Sequence, residues 1–397
     1  MEYTLSQEEL FLRQEISAFA KTELPQDWIG FGVLEEYGDD KAWELSQYIV
    51  KKLALKGWLA MAWPKKYGGS EASPMEQAIY REEMAYWRVP GIDVGPAGIP
   101  IVGPTLMTFG TEEQKQEHLP KIASGEETWT LLYSEPNSGS DLASIQCHAM
   151  ENNDHFTIYG EKIWVTGGNR CDWCMLAAQT TPDAPRHEGI SLLLVNLKYK
   201  GLRVKPLTSL TGYQENTQIF LDGVQVPKSN LIGEKNRGWY YIMVALDFER
   251  TFGIGFVGCA RRMLDELVNY TREEERNVGT LGKPSTIRSS LAEMAIECEV
   301  ARLLCYRVAW MQEKGIVPNY EVSMAKNLSA EMCQRVANVG MQIIGPYSQL
   351  RPGSKWAQIQ GVITRNYLYT VTHTIYMGTS EINRNIIALR GLGLPRG

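Results

Sequence analysis

The segment Thr217-Gln218-Ile219-Phe220-Leu221-Asp222-Gly223-Val224-Gln225-Val226-Pro227 is typical of β-structure. Two short apolar or alternating runs lie on either side of Asp222-Gly223, a dipeptide typical of a hairpin turn. Similar runs cover 156–159, 162–165, 191–195 and 202–207. The region from about 128 to 233 has too few helical patterns for a βαβ fold. It therefore predicts a β-domain, either a small barrel or a sandwich.

Helical patterns flank this β-segment on both sides. Before it, a helix start is predicted at Thr111, because Gln114 follows at the spacing of a capping box, and the segment closes near Leu119-Pro120. After it, one set of apolar residues steps by three and four, as on a single helix face: Val322, Ala325, Leu328, Met332, Val336, Val339 and Ile343.

Four long apolar runs after Gly238 predict a helical bundle. They cover 238–275, 286–314, 322–343 and 373–389. We therefore expect an α+β protein that is mainly helical. Its domains are predicted at 1–127 (N-terminal helical domain), 128–234 (middle β-domain) and 235–397 (C-terminal four-helix bundle).

The composition is that of an ordinary globular protein. Of 397 residues, 44% are hydrophobic and 22% charged, and 40 basic against 46 acidic side chains give a net charge of −6. This balance argues against a nucleic-acid-binding face. No stretch approaches the roughly 18 apolar residues of a membrane span, and residues 1–10 are too polar for a signal peptide. We expect a cytoplasmic protein with a small-molecule ligand.

The seven cysteines form an odd set without the spacing of a disulfide framework. Cys171 and Cys174 make a C-x-x-C pair, but the sequence has no second pair and only five histidines. A packing role is therefore favoured over zinc or redox chemistry, and no metal is expected.

Gly253-Ile254-Gly255-Phe256-Val257-Gly258 fits the G-x-G-x-x-G pattern of a dinucleotide-binding turn. No strand precedes it, and the glycines lie inside a helical pattern from Tyr240 through Leu267. We therefore expect the small residues to allow another helix or a planar ligand to approach this helix closely.

Glu249 projects from an apolar helix face. Its helical neighbours at three, four and seven positions are Ile242, Ala245, Leu246, Phe252, Gly253 and Phe256. Burial raises the pKa of a carboxyl group, which suits a general base. The alternative is an ion pair with Arg250 or Arg261, and periodicity alone favours that alternative.

Two short motifs in the β-segment could contact a polar, flat ligand. The loop Ser134-Glu135-Pro136-Asn137-Ser138-Gly139-Ser140-Asp141 gathers hydroxyls and backbone amides that can point at one ligand. Trp164 and Thr166 lie two residues apart on a strand, and therefore on one face. The alternatives are a common turn and a core tryptophan.

Taken in order, these segments resemble the acyl-CoA dehydrogenase family over nearly the whole chain, from Glu8 to Leu394. The matching pieces are Gly110-Thr111-Glu112-Glu113-Gln114-Lys115, the loop at 134–141, Lys162-Ile163-Trp164-Val165-Thr166, the segment 220–227, Leu246-Asp247-Phe248-Glu249-Arg250, and Ile375-Tyr376-Met377-Gly378-Thr379 with Glu381 and Arg384. The resemblance implies an N-terminal helical domain, a middle β-barrel, a C-terminal four-helix bundle and one non-covalent FAD per subunit.

The resemblance also implies the cofactor and substrate contacts. The residues that would line or flank the flavin are Leu131, Tyr133, Ser134, Gly139, Ser140, Trp164 and Thr166. Thr379 and Glu381 would reach its ribityl and phosphate parts. Arg276, Gln342 and Gly345 would contact the adenosine end across a subunit interface, and Ser140 and Arg250 would face the CoA.

The sequence departs from the family pattern at the position of the usual catalytic carboxylate. Met377 stands directly before the Gly-Thr pair and cannot accept a proton. A branch acting on branched, long or bulky acyl groups carries its base where this chain has Glu249, so the resemblance favours Glu249 as the base. The backbone N–H of Met377 would still help to hold the thioester oxygen, as in an oxyanion hole.

A second departure concerns the adenosine end of FAD. Arg276-Asn277-Val278-Gly279 replaces the common Arg-x-Thr-Phe, and Ser285 stands where glutamine is common. Such differences occur in mixed α₂β₂ assemblies as well as in homotetramers. We expect self-association as a homotetramer, with a dimer or an α₂β₂ heterotetramer as alternatives.

The implied reaction is α,β-dehydrogenation of an acyl-CoA. Glu249 would remove the α-proton while the β-hydride leaves to the flavin, and an electron-transfer flavoprotein would take the electrons. Asp93 lies where the family borders the acyl end, and could serve a cyclic or polar substrate or be a solvated loop residue. The rival functions are a non-catalytic partner subunit and another flavin reaction on the same scaffold.

Overall fold

A computed structural model of the protein describes residues 4–30, 35–181, 183–185, 187–248, 253–276, 279–280 and 285–396. The chain forms two compact units. Met1–Gly32, Ser73–Val89 and Arg250–Gly397 make up the first, here called the helical unit. Val33–Ala72 and Pro90–Glu249 make up the second, here called the mixed unit.

The helical unit is built around three long helices that pack on one another. Its helices are α1 (Gln7–Glu23), α3 (Pro74–Tyr86), α7 (Gly253–Glu273), α8 (Ser285–Glu313), α9 (Tyr320–Ile344), α10 (Val362–Tyr369) and α11 (Ser380–Ile386), with a short ribbon of β8 (Glu275–Arg276) and β9 (Gly279–Thr280). Within the stripe predicted for α9, Met332 and Val336 are completely buried in the core that α7, α8 and α9 share. Hydrophobic burial along this seam stabilises the bundle.

The glycine-rich segment at the start of α7 has the packing role expected of it. A Cβ built on Gly258 would lie 2.3 Å from the carbonyl oxygen of Glu82, so α3 approaches α7 as closely as a backbone without side chains allows. A dinucleotide-binding turn is excluded, because this segment is helical.

The mixed unit carries one curled sheet and the remaining helices. In the described residues the strands are β1 (Trp129–Leu132), β2 (His148–Glu151), β3 (His155–Thr166), β4 (Trp173–Gln179), β5 (Ile190–Asn196), β6 (Leu202–Leu207) and β7 (Asn216–Pro227). Their order is β1-β4-β2-β3-β7-β6, with β5 paired to β4. The helices are α2 (Asp40–Leu55), α4 (Gly103–Phe109), α5 (Glu112–Ser124) and α6 (Gly238–Phe248).

The start of α5 confirms the predicted capping box. The Thr111 hydroxyl accepts a hydrogen bond from the Gln114 N–H at 3.3 Å, and the Gln114 side chain accepts one from the Thr111 N–H at 3.2 Å. The predicted end near Leu119-Pro120 is wrong, since the helix continues to Ser124. Pro120 is accommodated within it.

Two predicted breaks in the sheet are absent from the described strands. Asp222-Gly223 does not form a hairpin turn, because β7 runs through it while paired to β3. Gly223 adopts φ +68° at a register shift, so the dipeptide makes a bulge. The runs at 156–159 and 162–165 likewise belong to one strand, β3, in which Gly160 has φ +140°. Strands β1, β2 and β4 were not predicted.

The prediction of one long helix over 373–389 is wrong. A 3₁₀ turn at Thr370–Thr374 comes first, and α11 begins only after Thr379, whose hydroxyl accepts from the Ile382 N–H. Met377 and Gly378 between them have φ values of +58° and +80°, which no α-helix can contain. In the part of the chain that the structure describes, no helix combines the length and apolar character needed to cross a bilayer.

We expect Gly258→Ala to destabilise the protein by about 1–3 kcal/mol, because the new methyl group would collide with the backbone of α3. Gly255→Ala on the same helix is the matched control, since a Cβ there would meet no described atom within 4 Å. The control should be neutral or more stable by up to about 1 kcal/mol. Urea midpoints measure both effects, and equal midpoints for the two variants would contradict the close contact.

Candidate active site

The loop at 134–141 in the mixed unit is held by a buried ion pair. Lys162 on β3 is completely buried, and its Nζ donates to Glu135 Oε1 at 2.8 Å and to the Tyr133 carbonyl at 2.9 Å. Glu135 also accepts from the backbone N–H groups of Gln146 and Cys147. A buried charge is tolerated when it is paired and hydrogen-bonded in this way. The loop therefore has one defined path.

Along that path, the residues of the loop that were predicted to contact a ligand remain accessible. Gly139 and Ser140 are exposed, and a Cβ added at Gly139 would find no described atom within 4 Å. The Ser134 carbonyl accepts from the N–H of Ile163 at 3.0 Å, which places the start of the loop beside β3. Leu131 and Tyr133 lie on and just after β1, half-buried and buried respectively.

Trp164 is turned outward by an irregularity in β3. The register with β7 shifts between Lys162 and Val165, and Trp164 has φ +60°. The extra residue lets both Lys162 and Val165 point inward, while Trp164 stays 66% exposed. The core-tryptophan alternative is therefore wrong. The Thr166 hydroxyl lies 3.1 Å from Asn216 Oδ1, so Thr166 is oriented at the same end of the strand.

A second group of predicted residues meets at the start of α11 in the helical unit. Thr379 caps this helix. The backbone N–H of Glu381, followed by the Thr379 hydroxyl, holds the pKa of the Glu381 carboxyl below its ordinary value. Both residues line a cavity of about 420 Å³ that also contacts Arg335 on α9. The Ser380 hydroxyl lies in the same lining, is 4% exposed and has no hydrogen-bond partner among the described residues.

The residues predicted for the adenosine end lie elsewhere in the helical unit. Gln342 is exposed in the last turn of α9, and Gly345 ends that helix with φ +70°. Arg276 pairs with Gly279 in the β8–β9 ribbon, and its side chain lies outside the described part of the structure.

Glu249 and Arg250 lie outside the described residues. In the mixed unit, Ile242 and Ala245 on α6 are fully buried, and in the helical unit Phe256 on α7 is 3% exposed. These residues belong to the apolar face predicted around Glu249. Arg261, one alternative partner, binds Glu82 and lies 3.7 Å from Glu83.

Asp93 is buried, at 6% exposure, so its interpretation as a solvated loop residue is wrong. Nearby, Glu36 accepts from the Gly91 N–H at 3.0 Å, and burial, followed by the charge of Asp93, raises the pKa of Glu36 to about 7. Glu36 and Lys162 were not predicted from the sequence as site residues. For Lys162 the available signal was a single lysine beside the apolar run Ile163-Trp164-Val165.

All seven cysteines are free thiols. Cys171 and Cys174 are buried, and burial raises the pKa of both, which keeps them as unreactive thiols. No group of three or more metal-binding side chains occurs in the described ranges.

We expect Lys162→Met to lower the free energy of unfolding by about 3–5 kcal/mol, because the Glu135 carboxylate would stay buried without its cation. The control is the double variant Lys162→Met, Glu135→Gln, which removes the buried charge and should recover part of that loss. Urea denaturation measures both. A double variant as unstable as the single one would show that the charge is not the cause.

Three sequence profiles match in order: acyl-CoA dehydrogenase N-terminal domain at residues 6–126, middle domain at 130–224 and C-terminal domain at 236–392. Acyl-CoA dehydrogenase FadE26 of Mycobacterium tuberculosis is 32% identical over 99% of this chain and 98% of its own length.

Two solved structures share the fold along their whole length. The protein described as "Tcur3481-Tcur3483 steroid ACAD" has a TM-score of 0.90 and 32% identity, with 100% of both chains covered. A chain of the ChsE4-ChsE5 complex from Mycobacterium tuberculosis has a TM-score of 0.88 and 28% identity, again covering 100% of both chains.

Each unit, taken by itself, offers groups that fit the FAD cofactor of such enzymes. The exposed ring of Trp164 can stack on a flat ring system, and the open loop at Gly139 and Ser140 offers backbone and hydroxyl groups. The buried Ser380 hydroxyl supplies a polar atom that needs a partner. The chain belongs to the acyl-CoA dehydrogenase family, and it is an FAD-dependent oxidoreductase.

Proposed function

We propose that the protein removes two hydrogens across the α and β carbons of a bulky acyl-CoA thioester, with Glu249 as the base. The observation that carries this proposal is the residue at position 377. Met377 cannot accept a proton, and its φ of +58° makes it part of a backbone turn. The carboxylate must therefore come from another position, and Glu249 follows α6, where Ile242 and Ala245 are fully buried.

In this proposal the residues of the chain orient the thioester and move one proton. The Met377 N–H donates a hydrogen bond to the thioester carbonyl oxygen, which makes the α-proton more acidic. Glu249 then accepts that proton. Ser140 and Arg250 would contact the CoA. Bound FAD supplies the hydride acceptor.

The residues proposed to hold FAD form three groups. Leu131, Tyr133, Ser134, Gly139, Ser140, Trp164 and Thr166 would contact the flavin, Thr379 and Glu381 the ribityl and phosphate parts, and Arg276, Gln342 and Gly345 the adenosine end. The exposure of Trp164, Gly139 and Gln342 supports this assignment.

For the acyl group we propose a bulky cyclic skeleton. One structural relative is described as a "steroid ACAD", and this name and the methionine at position 377 both support this class. The buried pair of carboxyl groups at Glu36 and Asp93 could recognise a polar substituent, and it stays a proposal.

We further propose that an electron-transfer flavoprotein accepts the electrons and that the protein works in the cytoplasm as an assembly of subunits. A homotetramer, a dimer and an α₂β₂ heterotetramer are the candidates, and the ChsE4-ChsE5 complex supports the last of these. Domain bounds at 1–127, 128–234 and 235–397 are supported by the three matched profiles.

The second candidate function is that of a non-catalytic partner subunit. Met377 at the usual position of the base and the altered segment at 276–279 favour it. This candidate predicts no reduction of bound flavin by any acyl-CoA when the chain is purified alone.

We expect Glu249→Gln to keep FAD bound and to lower the rate of flavin reduction at least about 100-fold, as for loss of a positioned base. The experiment adds straight, branched and cyclic acyl-CoA thioesters to the purified protein under argon and follows the bleaching of the visible flavin spectrum. Glu313→Gln, an exposed change at the end of α8, is the control and should keep the wild-type rate.

A wild-type rate in Glu249→Gln would refute the assignment of the base. A wild-type protein that no thioester reduces would favour the partner-subunit function, and the next measurement would then identify the protein with which it co-purifies.

A further inference from the structure

A buried lysine donates hydrogen bonds to both ends of the loop that contains Met377. Lys326 lies on α9 with 5% exposure, and its Nζ donates to the carbonyl of His373 at 3.0 Å and to that of Gly378 at 2.8 Å. These two carbonyls lie at either end of the segment 374–377. One ammonium group therefore closes the loop from the side of the helical core.

The loop needs such support because its backbone is unusual. Met377 has φ +58° and Gly378 has φ +80°, and a left-handed residue other than glycine persists only where the surroundings enforce it. Asn383 Nδ2 adds bonds of 2.8 Å to the Gly378 carbonyl and 3.0 Å to the Thr379 carbonyl. The Gly378 carbonyl thus accepts from two side chains, which fixes the plane of its peptide group.

The charge of Lys326 is directed at these carbonyl dipoles. Glu331 and Glu381 are the acidic groups whose charge acts on it, but Lys326 forms no ion pair with any described residue, and Glu331 binds Arg384 at 2.6 Å. Burial lowers the pKa of Lys326 to about 8, so the ammonium is charged at neutral pH.

His373 contributes no competing charge to this region. Its ring stacks on Phe256 with centroids 4.5 Å apart, and neither ring nitrogen has a hydrogen-bond partner among the described residues. Burial, followed by the charge of Lys326, lowers the pKa of His373 to about 3, so the ring is neutral. The ammonium is therefore the cation that the carbonyls of this loop share.

We propose that Lys326 is a positioning residue that holds the Met377 N–H in the orientation needed to donate to the substrate carbonyl. This inference rests on the proposed function of Met377. The carbonyls of His373 and Gly378, one on each side of Met377, both accept from the Lys326 ammonium. A rotation of the segment 374–377 that moves either carbonyl therefore breaks a charge-assisted hydrogen bond. Asn383 supports the same loop through its hydrogen bonds to the carbonyls of Gly378 and Thr379.

The test compares Lys326→Met with Lys21→Met, an exposed change on α1, in the FAD-bound protein. Amide hydrogen exchange is followed in peptides covering 373–379, together with kcat and KM for a thioester that reduces the wild type. For Lys326→Met we expect exchange at least about 10-fold faster in 373–379, with α7 and α8 unchanged. We expect kcat to fall about 10- to 100-fold while KM changes less than about 3-fold. The control should match the wild type in all three.

Faster exchange throughout α7, α8 and α9 would overturn the proposal, because it would show a packing role in the core. Local loosening with an unchanged kcat would overturn it as well. If Lys326→Met does not fold, Asn383→Ala provides the second variant, with the same local pattern at smaller size. The exchange measurement needs no substrate. If the protein does not dehydrogenate acyl-CoA, exchange in 373–379 still reports whether Lys326 supports the loop, and if Lys326 does not support the loop, exchange there stays at the wild-type rate.

Discussion

Each unit of the protein contains one loop that a buried lysine supports by donating hydrogen bonds to main-chain carbonyls. Lys162 in the mixed unit binds the Tyr133 carbonyl and Glu135, and Lys326 in the helical unit binds the carbonyls of His373 and Gly378. Removing an ammonium from water costs several kcal/mol unless its donors are satisfied. Each buried ammonium therefore needs its hydrogen bonds, and the carbonyl groups that accept them are held in one position.

Near each of these lysine contacts, one residue other than glycine has a positive φ. Trp164 and Met377 have φ values of +60° and +58°. In β3 the irregular register exposes the indole ring while Lys162 and Val165 stay inside. Before α11, Met377 and Gly378 interrupt the helical pattern predicted over 373–389. Six further described residues other than glycine also have a positive φ, among them Val94 and Ile359, so backbone strain is not confined to the residues assigned to cofactor and substrate.

Local signals predicted the elements that depend on neighbouring residues and failed where distant partners decide. The Thr111–Gln114 capping box and the helical nature of the glycines at 253–258 need only a few adjacent residues, and both predictions are confirmed. Asp222-Gly223 has the composition of a turn, yet pairing with β3 along the whole of β7 outweighs it. Strand β4 was missed although 174–178 is a continuous apolar run like the run at 191–195 that was predicted; burial on both faces removes the alternation from both strands.

Residue type and order were enough to predict the family, the cofactor and the lack of a proton acceptor at Met377. The contacts proposed for Ser134, Trp164, Thr166 and Thr379 come from the same resemblance, whereas the groups that support these residues became visible only in the folded chain. The local sequence around a lysine looks the same whether its side chain is solvated or buried. The burial of Lys162 and Lys326 depends on strands and helices far along the chain. The positions of the loops follow from packing and from the need to satisfy buried charge, which residue order alone does not specify.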